Sequence, residues 1–211
     1  NEDGELDGDE TKLKEWTPIG SSSRSFSGTF DGAGHIISGL YYDKNINYVG
    51  LFGQLGNLGS IRDVGVIDSY FNGQSGIGGI CGSNEGTIES VYYTGAVTGT
   101  VDSVGGVCGF NNGTIENSYN SGEVIGQIDV GGVCSYNGGT IKDSYNSGEV
   151  TGTGTYDVGG VCSENVGTIE SSYNCGKVTG QHVGGVCGKN SYGTIKDSYN
   201  SGEVIGQIDV G

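Results

Sequence analysis

Only one proline, Pro18, occurs in 211 residues, and lysine and arginine together number nine. Scarce proline and the lack of a three-residue glycine period exclude a collagen-like triple helix. With 25 acidic residues against those nine, the formal charge is −16 and the pI near 4.1. Such a surface repels phosphate backbones and anionic headgroups, which excludes nucleic acid and lipid headgroups as partners. No apolar run approaches the ~20 residues of a membrane span, so this segment inserts into no membrane. Behind Asn1 there is no charged-then-apolar stretch, and the expectation is that any signal peptide is missing or already removed.

Glycine, by contrast, is abundant at 45 residues. Each interior helix glycine costs roughly 1 kcal/mol against alanine, so a mostly helical chain is excluded. The glycines recur in order. VGGVCG at 104–109 aligns with IGGICG at 77–82, VGGVCS at 130–135 and 158–163, and VGGVCG at 183–188, with a diverged VGLFGQ starting at Val49. These units start at 49, 77, 104, 130, 158, 183 and 210, spacings of 28, 27, 26, 28, 25 and 27 residues. The five units starting at 77, 104, 130, 158 and 183 carry GTI (at 86, 113, 139, 167 and 193), a Tyr, a Gly and a valine in turn, and residues 118–131 and 198–211 are the same string, SYNSGEVIGQIDVG.

A unit of this size, cut by glycines into short β-favouring pieces, cannot bury its own apolar side chains, whereas stacked copies can. Helical repeats need runs of helix formers that are absent, and leucine-rich repeats need the leucine that is almost missing from the repeats. The remaining candidate is an all-β parallel β-helix, one unit per coil. About seven coils make a rod of roughly 35 Å.

Charge supports the stacking. The residue after the repeat isoleucine reads Glu116, Lys142, Glu170, Lys196, and opposite charges on adjacent rungs contribute roughly 0.2–1 kcal/mol per pair. Strand alternation then places Ile61, Ile88, Ile115, Ile141, Ile169 and Ile195 inside. The same alternation would bury Asp63, Ser90, Asn117, Asp143, Ser171 and Asp197, which is costly for carboxylates. A bend or bulge is therefore expected there, turning Ser118, Ser144, Ser172 and Ser198 inwards, after Val64 and Val91. Tyr92, Tyr119, Tyr145, Tyr173 and Tyr199 become an outward column.

The ends differ from the middle. Residues 1–15 are expected to be an acidic flexible leader, with six acids in the first fourteen positions. Residues 16–48, with Trp16, Phe26, Phe30, Ile36, Ile37 and Leu40, are expected to form a capping coil over the repeats at 49–211. The sequence stops at Val210–Gly211, two letters into another unit, so the repeats are expected to be truncated there and the parent to continue.

WTPIG, FSGTFDGAGHIISGL, VGLFG and the repeated VGGVCG…N…GTI…SYNSGEV together resemble bacterial surface proteins with GLUG-motif repeats, which also occur in immunoglobulin A peptidases outside the protease domain. The resemblance covers roughly residues 16–211. It implies a right-handed parallel β-solenoid in an extracellular, cell-surface bacterial protein, acting as a non-catalytic stalk or adhesin module. Cysteine stands where such repeats more often carry valine or another small residue, and no peptidase motif such as HExxH is found.

Candidate chemistry is repetitive. Cys81, Cys108, Cys134, Cys162 and Cys187 share one repeat position, at which letter alignment places Gly53 in the first copy. Parallel Cβ vectors set stacked cysteines beyond the roughly 3.5–4.5 Å that disulfides prefer, so free thiols are expected. Strand parity favours Phe52, Ile80, Val107, Val133, Val161 and Val186 inside, with the cysteines buried at a corner or covered. A soft-metal thiolate column matches no CxxC site, and Cys175, replacing a repeat serine, looks incidental. His35 and His182 occupy non-equivalent places without a catalytic partner. Asp102, Asp129, Asp157 and Asp209, like Glu123, Glu149 and Glu203, recur one per coil, whereas an active site is a single constellation. A polysaccharide lyase or glycoside hydrolase of the parallel β-helix type is therefore the alternative reading, and a calcium site on the aspartates lacks a dense oxygen cluster. No cofactor, metal or catalytic residue is assigned. The tyrosine column with its flanking Asn120, Asn146, Asn174 and Asn200 is the candidate for binding a host or cell-surface glycan or protein; the tyrosines alternatively stack for stability alone. The hydroxyl column Thr87, Thr114, Thr140, Thr168 and Thr194, beside bulky tyrosines, is no flat array for binding ice. End-to-end self-association, as in a filament segment, is a further alternative, through unpaired strand edges.

Overall fold

A computed structural model describes residues 14–154 and 156–211. Among these residues the regular structure is all strand, and every strand pairing is parallel. The strands form three faces, a β-solenoid of about seven coils with a repeat near 27 residues. A cysteine face stacks six strands from Phe52–Leu55 to Cys187–Asn190, and a tyrosine face holds eleven from Thr29–Ser38 to Tyr199–Asn200. A valine face holds ten, from Lys14–Glu15 to Val204–Val210. Residues 1–13 of the expected leader lie outside the described residues; its last two, Lys14 and Glu15, pair as a strand with Leu40 and Tyr41 rather than staying free.

Equivalent letters stand over one another. The isoleucine column runs in register from Ile61 through Ile88, Ile115, Ile141 and Ile169 to Ile195. All but Ile195 are fully buried. On the valine face, Phe71, Val97, Val124, Val150 and Val178 do the same. These branched side chains fit the pleat and fill the tube.

The bend expected after the charged column is present on every coil. Asp63, Ser90, Asn117, Asp143, Ser171 and Asp197 all have left-handed backbone, with φ from 47 to 54°. The interrupted ladder is repaired by the next residue: Ser144 Oγ accepts from Ser118 N at 3.2 Å and donates to Lys142 O at 2.7 Å. Ser118, Ser144 and Ser172 are accordingly buried.

Both valines and cysteines of VGGVC face the interior, which simple alternation forbids. Val107 and Cys108 are each fully buried, and so are their equivalents in the coils of Cys81, Cys134 and Cys162. The Gly-Gly pair makes this corner. A Cβ on Gly105 would lie 2.0 Å from the Cys108 carbonyl oxygen, and the same contact recurs at Gly131, Gly159 and Gly184.

The first coil corrects the letter alignment. Phe52, not Gly53, pairs with Cys81, and Gln54 pairs with Ser83, because VGLFG lacks the second glycine of the pair and its coil is one residue shorter there. Phe52 therefore ends the cysteine column. Its ring packs 5.1 Å from Phe26 and 5.3 Å from Phe30, while the Trp16 indole donates to the carbonyls of Gly50 and Leu51. Leu40 is buried; Ile36 and His35 are exposed and close nothing.

Candidate functional site

The serine that turns inward after the left-handed residue sends the next side chain out, and that side chain is the repeat tyrosine. Tyr92, Tyr119, Tyr145, Tyr173 and Tyr199 form one stack with ring centroids 5.2, 4.8, 4.9 and 5.1 Å apart and planes within 6°. This spacing is the rung spacing of a parallel sheet, so the backbone itself sets the stack. The rings cover each other's faces, and Tyr92 in turn lies over Gly65, where a Cβ would meet its Cζ at 2.1 Å. What the column offers to solvent is ring edges and hydroxyls, not open aromatic faces. The first four rings are half-buried and Tyr199 is exposed; burial raises the hydroxyl pKa of Tyr119 and Tyr145, with neighbouring rings adding to it.

The asparagines are not beside them on the surface. Asn120, Asn146 and Asn174 are fully buried and Asn200 half-buried. The alternation that turns a tyrosine out turns the following residue in. Each amide then packs against the second glycine of a Gly-Gly corner: a Cβ on Gly106 would lie 2.3 Å from Asn120 Cγ. Asn120 Nδ2 donates to Asn146 Oδ1 at 2.8 Å, Asn146 to Asn174 at 2.8 Å, and Asn174 to Asn200 at 2.7 Å. These side chains hold coils together and are out of a ligand's reach.

A second amide ladder, which we did not single out in the sequence, follows the cysteine strands. Asn84, Asn111, Asn137, Asn165 and Asn190 are joined by Nδ2 to Oδ1 bonds of 2.7 to 2.8 Å. Its signal is the asparagine two or three residues before GTI in the five units that carry the column cysteine; the first copy has Leu55 there. A second aromatic group was also missed: Tyr48 and Phe110 lie 6.2 Å apart, Phe110 and Tyr136 6.4 Å, with tilted rings.

All six cysteines are free; Cys81, Cys108, Cys134 and Cys162 are buried, Cys187 half-buried and Cys175 exposed. Each column thiol has a carbonyl two residues on within reach, as at Cys134 with Tyr136 O, 3.1 Å. Burial pushes the thiols of the four buried members up, while Cys187 is lowered by its hydrogen bond with Cys162.

Glu116 and Lys142 meet at 3.2 Å, Glu170 and Lys196 at 3.1 Å, and Asp31 and Arg62 extend the column at 2.8 Å. Glu149 pairs with Lys177 at 3.0 Å. Asp129 is different. Burial, then the charges of Asp102, Asp157 and Glu164, raise its pKa to about 6. His182 Nδ1 lies 2.8 Å from Asp209. The threonine hydroxyls are half-buried from Thr87 to Thr168. Among the described residues no three His, Cys, Asp or Glu side chains converge on a point that could hold a metal, and no helix is long and apolar enough to cross a membrane.

Comparison with known proteins places these repeats. The GLUG motif matches residues 102–125 and 179–205. Halomucin of Haloquadratum walsbyi is 38% identical over 76 residues, 36% of this chain and 1% of that protein. A protein of Evansella cellulosilytica provisionally named Gly-rich membrane protein is 33% identical over 80 residues, 36% of this chain and 9% of its own length. The chain thus spans a small part of these curated relatives. The crystal structure of a provisionally named immunoglobulin A1 protease from Bacteroides ovatus superposes with a TM-score of 0.71 over 92% of this chain and 67% of that one, at 22% identity.

Proposed function

We propose that this chain, which is built of GLUG-motif repeats, is a non-catalytic stalk segment of an exported cell-surface protein. The observation that carries this reading is register: isoleucine, serine, tyrosine, asparagine and cysteine columns pass from coil to coil without a break. Such a build repeats side chains along an axis instead of converging them on a reacting atom. The names of the relatives, a halomucin and a Gly-rich membrane protein, support a place at the cell surface. Labelling intact producing cells with an antibody to this segment tests the location; labelling only after lysis overturns it. Turnover of plant or host polysaccharides by the purified chain would establish the enzymatic alternative instead.

The second reading, adhesion to a glycan or protein, rests on the outward tyrosine row. Its contacts would be hydroxyl hydrogen bonds and ring edges repeated every rung, giving avidity rather than a deep pocket. Tyr119→Ala and Tyr145→Ala are expected to reduce retention on a glycan or host-protein array while leaving the β-sheet circular dichroism unchanged. Unchanged retention removes the column as a binding face. Self-association is read by light scattering, where monomer alone at high concentration counts against it.

A further inference from the structure

Five thiols stand on five successive rungs: Cys81 pairs with Cys108, Cys108 with Cys134, Cys134 with Cys162 and Cys162 with Cys187. Four are fully enclosed, the last is half-buried, and none is bridged. Rungs lie about 4.8 Å apart, and in-register Cβ atoms stay close to that separation, beyond the roughly 3.5–4.5 Å of a relaxed disulfide. The core therefore contains a row of unbridged thiols, one per coil, ended by Phe52, which pairs with Cys81.

We propose that this row is a linear binding site for univalent soft metal ions, copper(I) being the natural occupant and silver(I) its redox-inert probe, one ion between each pair of successive sulfurs.

Ligand number decides the class of metal. Zinc in a structural site takes four ligands in a tetrahedron, and among the described residues not even three metal-binding side chains converge. Each gap in the row supplies two sulfurs, one from the coil above and one from the coil below. Two-coordinate linear geometry belongs to closed-shell soft cations, and thiolate is their preferred donor. Charge decides the valence. Five thiolates enclose four gaps; univalent ions in all four leave one net negative charge along the row, whereas divalent ions leave three positive charges in a buried strip. Uncompensated charge in the core is costly, so the univalent filling is favoured.

The binding step balances without redox chemistry. Sulfur–metal bonds replace S–H bonds, the protons leave to solvent, and five thiols with four univalent ions release five protons. Interior thiolates bridge two ions and the end thiolates hold one.

The test is a silver(I) titration of the reduced chain in chloride-free buffer, read by native mass spectrometry and by proton release at constant pH. Cys175→Ser is the background, because it removes the exposed thiol outside the row. Four ions and five protons are expected on that background. Adding Cys134→Ser cuts the row into the pairs Cys81/Cys108 and Cys162/Cys187, and two ions and four protons are expected. Cys134→Val keeps the apolar filling and is expected to give the same halving should the serine variant misfold. Four ions retained after either substitution, one ion per thiol, or zinc bound in equal amount overturns the proposal.

Discussion

Asn146 donates through Nδ2 to Asn174 Oδ1 at 2.8 Å, one coil away, and both side chains are fully buried. Asn146 also accepts from Asn120 and bonds both polar groups of Gly148. Asn146→Leu leaves the neighbouring amides and the Gly148 groups without partners, at about 1–3 kcal/mol for each buried group left unpaired. Asn146→Asp still accepts from Asn120 but sets a carboxylate oxygen against Asn174 Oδ1. Urea unfolding at pH 7 is expected to rank wild type first and both variants well below, with the aspartate partly recovering at acid pH.

The left-handed residues give a prediction of opposite sign. Ser171 sits at φ 50° with its side chain exposed, so Ser171→Gly relieves strain without losing a contact. Ser171→Val places a branched side chain where it is disfavoured, costing on the order of 1–3 kcal/mol. Glycine is expected to unfold at higher urea than wild type and valine at lower.

Asp129 sets a pH dependence. Its folded pKa of about 6 lies above the unfolded value near 3.8, so the folded state binds the proton more tightly. Its stabilising contribution is complete below about pH 4 and is lost as pH rises through 6. Asp129→Asn is expected to raise the melting temperature at pH 8 relative to wild type and to leave little difference at pH 4; a constant difference across that range would refute the assignment.

The outer charge column answers to salt. Lys142→Glu sets like charges against Glu116 and Glu170 in place of an ion pair at 3.2 Å. These groups are solvent-exposed, so the expected effect is a small drop in the urea midpoint at low ionic strength. It is expected to shrink in 1 M salt.

Much of this was legible in the letters. The recurrence of VGGVCG and GTI gave the coil, the alternating Glu116, Lys142, Glu170 and Lys196 gave the register, and the cost of burying Asp63 or Asp143 pointed to the bend that the backbone adopts. The asparagines misled because polarity was weighed above parity: a residue following an outward tyrosine faces inwards, and a ladder of identical amides satisfies itself there. The cysteine and valine columns share the interior because the Gly-Gly pair turns the corner at which the cysteines were expected to be buried. Phe52 was displaced by one position because aligned letters do not reveal that one coil omits a glycine.

The identical strings at 118–131 and 198–211 begin on serines separated by three rungs, Ser118 to Ser144 to Ser172 to Ser198. Genetic exchange between such duplicated stretches deletes or adds whole turns, and the rejoined polypeptide meets itself in phase at every position. Variation in reach among descendants then requires no new folding solution.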